Sequence, residues 1–188
     1  GRMLYAFDIT TTTPALKWAR GCPNMGDDTG CSAGYDGIGQ TWSGANVAFI
    51  KGFNGGDDPV IIMGGGYDGC LDTDSAVTTC AGSAKGRKVY VINAATGAII
   101  GTPFQTDAPV PADVTLIDRD FDGKVDHAYA ADALGSLYRI DFSDPSTFAA
   151  LDPASWTITK VASTTTGNRK FLFGPAALAV GSKVYLAL

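Results

Sequence analysis

The chain has 188 residues, 45% hydrophobic and 18% charged, which is enough for one domain with a real core and too apolar for a disordered tail. A formal net charge of -5 without a basic stripe argues against nucleic acid as a partner, and no apolar run approaches the roughly 18 residues that span a bilayer, so direct membrane insertion is not expected. All 19 acidic residues are aspartate and glycine numbers 24, a composition rich in turn formers and poor in helix formers that predicts an all-β fold.

In chain order, the first predicted strand is Gly1–Asp8 (GRMLYAFD); the chain already starts inside a strand and reads as a fragment of a longer exported protein. Two local cysteine pairs follow, Cys22 with Cys31 and Cys70 with Cys80, each flanked by Gly, Asp, Thr and Ser. Local disulfides are the simplest reading, because short loops close with little entropy cost, and they imply an oxidising compartment such as the periplasm or cell surface. Zinc would want closer C-x-x-C spacing and usually histidine, of which the chain has one. Between the pairs, GQTWS lacks a G-x-S-x-G elbow, so Trp42 and Ser43 are expected in a turn, the aromatic packed between blades. Gly64, Gly65 and Gly66 follow Val60–Met63 but precede no helix, which argues against a phosphate cradle. Asp68, Asp72 and Asp74 form a looser acidic group near Cys70, read as a solvated disulfide loop in preference to a second metal site.

Four segments share one pattern, a glycine turn running into a strand with a tyrosine near its start: GRMLYAFD, GRKVYVIN, GSLYRID and GSKVYLAL. Their tyrosines are Tyr5, Tyr90, Tyr138 and Tyr185, and the last two intervals fall near the roughly 40 to 50 residues of a propeller blade. The longer first interval contains both cysteine pairs, as loop insertions would. A second correspondence sets Ala45–Ile50 (ANVAFI) against Ala112–Ile117 (ADVTLI), each followed by a loop rich in Gly and Asp and then another apolar strand. The expected architecture is a partial β-propeller of about four blades over residues 1–188, each blade a small antiparallel sheet covered on both faces, so that alternation within strands is weak. Ser146–Ala150 alone suggests a short helix, started by Asp144-Pro145 and stopped by Asp152-Pro153.

The most chemically specific stretch is Asp118–Asp126 (DRDFDGKVD), where four carboxylates alternate about one glycine. A calcium loop supplies oxygens from positions 1, 3, 5, 7 and 9 with glycine at 6 for the turn. Those positions are Asp118, Asp120, Asp122, Lys124 and Asp126, with Gly123 at the turn; Lys124 would give its backbone carbonyl and point its ammonium to solvent. Position 12 is Tyr129, so the bidentate glutamate that closes a standard EF-hand is missing, and the following residues read as a strand. The predicted unit is strand, calcium loop, strand. A plain Asp-rich hairpin is the competing reading, but four carboxylates so close would repel without a cation. Lys51–Pro59 (KGFNGGDDP) holds the equivalent place in the preceding repeat and lacks the alternation. His127, beside the loop, is expected to be a strand residue because calcium prefers oxygen to imidazole.

Three segments together, DRDFDGKVDHAYAADALGSLYRIDF, GRKVYVINAATGAIIG and GIGQTWSGANVAFI, resemble the C-terminal β-propeller of the type IV pilus assembly and tip adhesin family PilY. The resemblance implies a modified quinoprotein-like propeller that binds Ca2+ and regulates pilus extension, retraction and surface attachment, and hence twitching motility. It places the metal ligands on Asp118, Asp120, Asp122, the Lys124 carbonyl and Asp126. It implies export to the periplasm, outer membrane surface or pilus tip of a Gram-negative bacterium. The implied partners are pilus tip or minor pilin subunits and a host or abiotic surface. No Arg-Gly-Asp integrin motif is present.

Two other classes share these features. Quinoprotein dehydrogenases use this architecture and calcium to hold a quinone, yet the carboxylates here lie in one contiguous loop and no adjacent Cys-Cys pair occurs, so no enzyme activity is expected. In a purely structural extracellular module the metal would only rigidify a hairpin.

Overall fold

The computed structural model describes residues 1–72, 84–164, 170–181 and 183–188. It is all-β, with helical geometry among the described residues only in the 3-10 turns Asn54–Gly56, Gly69–Leu71 and Pro153–Ser155. Strands β1 (Met3–Asp8) and β2 (Ala15–Gly21) form a hairpin. Strands β3 (Asn46–Ala48), β4 (Val60–Gly64), β5 (Lys88–Asn93) and β6 (Phe104–Gln105) form a four-stranded antiparallel meander. A second meander is built from β7 (Thr115–Ile117), β8 (His127–Ala131), β9 (Ser136–Asp141) and β10 (Thr157–Ser163), and a hairpin of β11 (Ala176–Val180) and β12 (Lys183–Ala187) follows. These are four separate sheets in chain order, and none of them closes on itself.

All four glycine-tyrosine segments are strands, namely β1, β5, β9 and β12. One core cluster joins the two meanders: Ile50, Val60, Ile62 and Val91 from the first meet Ala128, Ile140 and Phe142 from the second. At its centre Phe142 lies edge-on to Phe104 and Trp156, with centroids 6.3 and 5.1 Å apart. The other face of the first meander gives Met63, Tyr90 and Ile92 to a second cluster with Cys22, Tyr35 and Ile38. Strands β5, β8 and β9 are thus covered on both sides, which is why their sequences are apolar runs with little alternation.

The two meanders share one register. Val60 faces Asn93 and Met63 faces Tyr90 in the first; His127 faces Asp141 and Ala130 faces Tyr138 in the second. This corrects the expected match of Ala45–Ile50 to Ala112–Ile117, because Ala48 pairs with Val60 where Ile117 pairs with His127, so the equivalence is displaced by two residues. A displacement of two preserves which side chains face inward, so the sequence pattern alone does not register it. The loop from Phe49 to Pro59 is correspondingly the longer one.

The expected helix at Ser146–Ala150 is a turn. Asp144 Oδ1 accepts from the amides of Ser146 and Thr147 at 2.9 and 2.8 Å, Phe148 adopts φ 58°, and Ser143 bridges back to Ala150. The carboxylate that would cap a helix closes a fold-back instead. Pro153, expected as a stop, opens the 3-10 turn Pro153–Ser155. No described helix is long and apolar enough to cross a membrane.

Candidate metal site

Strand β7 ends at Ile117 and β8 begins at His127, so Asp118–Asp126 is the inter-strand loop that its spacing predicts. Asp118 organises it: Oδ1 accepts from the Phe121 amide at 2.7 Å and Oδ2 from the Gly123 amide at 2.8 Å. Gly123 sits at φ 86°, the left-handed conformation a glycine turn requires. Asp122 Oδ1 accepts from the Lys124 amide at 2.9 Å. Asp126 closes the loop from inside. It is 1% exposed, its Oδ2 accepts from the Arg119 amide at 2.8 Å, and its Oδ1 accepts from the Ser143 hydroxyl at 2.7 Å.

Of the five residues assigned to the metal, the structure brings three together. Carboxylate oxygens of Asp118, Asp120 and Asp126 lie within 4.8 Å of one another, a group that could hold a metal ion. Asp122 stands outside that group. The Lys124 ammonium donates to the Gly55 carbonyl of the β3–β4 loop in a solvent-exposed bond of 2.9 Å. Tyr129, at the position of the closing glutamate, is buried in β8 between Thr115 and Arg139. All the available donors are oxygens, which suits a hard cation such as calcium and excludes soft thiolate chemistry.

Sequence reasoning missed two members of the site. Ser143 carries no signal of its own, since only the fold-back after β9 brings it to Asp126. Lys51 is the first residue of the loop recognised as the metal loop's counterpart, and that counterpart packs directly on it. Lys51 Nζ lies 2.6 Å from Asp120 Oδ2 and 3.0 Å from Asp122 Oδ2. The ammonium holds the Asp120 carboxyl below the usual carboxylate range, and the same contact raises the Lys51 ammonium above the ordinary lysine value. Further along, Phe49 O accepts from the Val125 amide at 2.8 Å. The two loops are interlocked.

Beside the loop, His127 lies in β8 as expected, buried, with Nδ1 2.8 Å from Asp141 Oδ1. Burial pushes the Asp141 carboxyl up, but His127 and Arg139 outweigh it and hold the group below its ordinary value.

Other candidates resolve into structural roles. Cys22 and Cys31 are joined as a disulfide; Asp28 beside them is paired with buried Arg2, so the Cys22, Asp28 and Cys31 group is not available to a metal. Cys80 and Asp74 lie outside the described residues. Asp68 caps the Cys70 amide at 3.1 Å, and Asp72 accepts from the Tyr67 hydroxyl at 2.8 Å. Trp42 stacks on Tyr67 with centroids 4.4 Å apart, and Ser43 Oγ accepts from the Gly64 amide at 2.9 Å. The Gly65 and Gly66 amides go to the Lys88 and Val110 carbonyls, leaving nothing to cradle a phosphate.

The fold and loop together define a class: an all-β chain of antiparallel meanders in which one inter-strand turn concentrates carboxylates. In fold the chain is similar to the crystal structure of the Pseudomonas aeruginosa PilY1 C-terminal domain, with a TM-score of 0.64 and 20% identity over 95% of this chain and 35% of that one. The chain therefore spans about a third of the solved relative's length. No family model matches the sequence, and no curated protein matches it.

Proposed function

We propose that the chain is a calcium-binding β-propeller module of an exported type IV pilus biogenesis and adhesion protein. The observation that carries this is an oxygen-only acidic loop set between adjacent strands of a fold similar to a pilus protein's domain. The two meanders supply four-stranded antiparallel sheets of the kind that make propeller blades. Asp118, Asp120, Asp122, the Lys124 carbonyl and Asp126 hold one calcium ion, and the cation offsets the repulsion among the carboxylates. Calcium then controls pilus extension, retraction and surface attachment, with pilus tip or minor pilin subunits as partners. Export accords with the Cys22–Cys31 disulfide. The module is not an enzyme, since its donors lie in one loop instead of converging on a shared cofactor.

The missing glutamate at position 12 sets the affinity between about 10⁻⁶ and 10⁻³ M, the sensor to extracellular range. Titration calorimetry on the chain and on Asp120→Ala tests the site: unchanged calcium affinity in the variant overturns the ligand assignment. The same substitution in a pilus-bearing parent tests the role. Altered extension or retraction with export intact is expected; normal pilus dynamics with binding lost would leave calcium a structural part only.

A further inference from the structure

We propose that Lys51 is an internal counter-cation of the Asp118–Asp126 loop, seated there in the metal-free protein and displaced when a divalent cation binds. The inference rests on the calcium reading above and adds to it a residue from a different sheet. Lys51 lies in the β3–β4 loop, yet its ammonium bridges Asp120 and Asp122 at 2.6 and 3.0 Å and is only 19% exposed. It also reaches the Phe148 carbonyl at 3.5 Å. Of the loop's own cations, Lys124 donates to the Gly55 carbonyl, away from Asp120 and Asp122.

A calcium ion takes carboxylate oxygens at about 2.3 to 2.6 Å. An ammonium on the same carboxylates would share that small volume with the ion, and two cations so close repel strongly. The metal must therefore displace Lys51 before Asp120 and Asp122 can turn their oxygens to it. Backbone contact between the loops, Val125 to Phe49, does not involve Lys51 and survives the exchange. Metal binding on one meander is thus felt as release of a side chain on the other, and Lys51 sets the calcium concentration at which this happens.

Two measurements on the purified chain test this. Calorimetric calcium titration of Lys51→Met should show binding about two- to fivefold tighter than in the parent chain, the range for an ion pair that no longer has to be broken. Far-UV circular dichroism checks that the variant is folded. In the unaltered chain, acetylation by an amine-reactive reagent, read by mass spectrometry at constant ionic strength, should be slow at Lys51 without calcium and rise severalfold when calcium saturates the loop. Equal or weaker calcium binding by Lys51→Met, or Lys51 labelling indifferent to saturating calcium, overturns the inference while leaving the metal site standing. Failure of both chains to bind calcium at millimolar concentration overturns the metal site and the inference together.

Discussion

The two meanders are the same construction used twice. With β4–β5 and β8–β9 in one register, Tyr90 corresponds to Tyr138, Ile92 to Ile140, Asn93 to Asp141 and Val60 to His127. What differs is the polar chemistry at equivalent places. The first meander has an apolar residue opposite an amide that binds its own turn, since Asn93 Oδ1 accepts from Ala95 and Thr96 at 2.9 and 3.1 Å. The second has a buried imidazole opposite a carboxylate. Between strands, the first supplies a lysine and the second the carboxylates that hold it. A repeated backbone plan thus leaves the inter-strand turns free to differ in side-chain chemistry, one placing a lysine against the carboxylates of the other.

The largest expected effect tests the shared plan. Ile92→Ala and Ile140→Ala, both fully buried, should each cost about 2 to 5 kcal/mol in urea unfolding. A cost below 1 kcal/mol at either would mean that the meanders are not equivalent parts of the core. Next comes the difference in loop chemistry. Calcium at a hundredfold excess over Kd should stabilise the parent chain by about 2.7 kcal/mol, and Asp120→Ala should lose most of that gain without unfolding. A thermal shift of equal size in both chains would break the contrast between the two turns.

The tyrosine pair sharpens it further. The Tyr138 hydroxyl donates to Asp132 Oδ2 and accepts from the Asp107 amide, both at 3.0 Å, whereas the buried Tyr90 hydroxyl has no hydrogen-bond partner among the described residues. Tyr138→Phe should therefore destabilise by about 1 to 3 kcal/mol and Tyr90→Phe should be neutral or slightly stabilising. Equal costs in urea unfolding would refute the assignment of distinct roles. Gly123→Ala should cost about 1 kcal/mol through its positive φ alone, since nothing lies within 4 Å of the added methyl.

A pH titration distinguishes Asp141 from Asn93. Because His127 and Arg139 hold the folded Asp141 below the unfolded value of about 3.9, its contribution is fully present above that pH and is lost as pH falls through the folded value. Asp141→Asn should flatten the acid limb of the stability curve, and an unchanged limb in urea unfolding between about pH 2 and 5 would refute the assignment.

Much of this was legible in the residues alone. Absent glutamate and abundant glycine indicated β structure, the glycine-tyrosine segments located β1, β5, β9 and β12, and alternating aspartates about Gly123 marked an inter-strand loop, because turn chemistry and side-chain period are local properties. Burial was not local. Tyr90 and Tyr185 occupy the same sequence pattern, yet one is fully buried and the other 56% exposed, since only the inner strands have a sheet on each side. The two-residue displacement between meanders was likewise hidden by a period of two. Nor could spacing along the chain reveal that Lys51 reaches Asp120 and Asp122, or that Ser143 reaches Asp126. Those contacts arise where two turns from separate sheets meet, and only the packing of one meander on the next sets the distance between them.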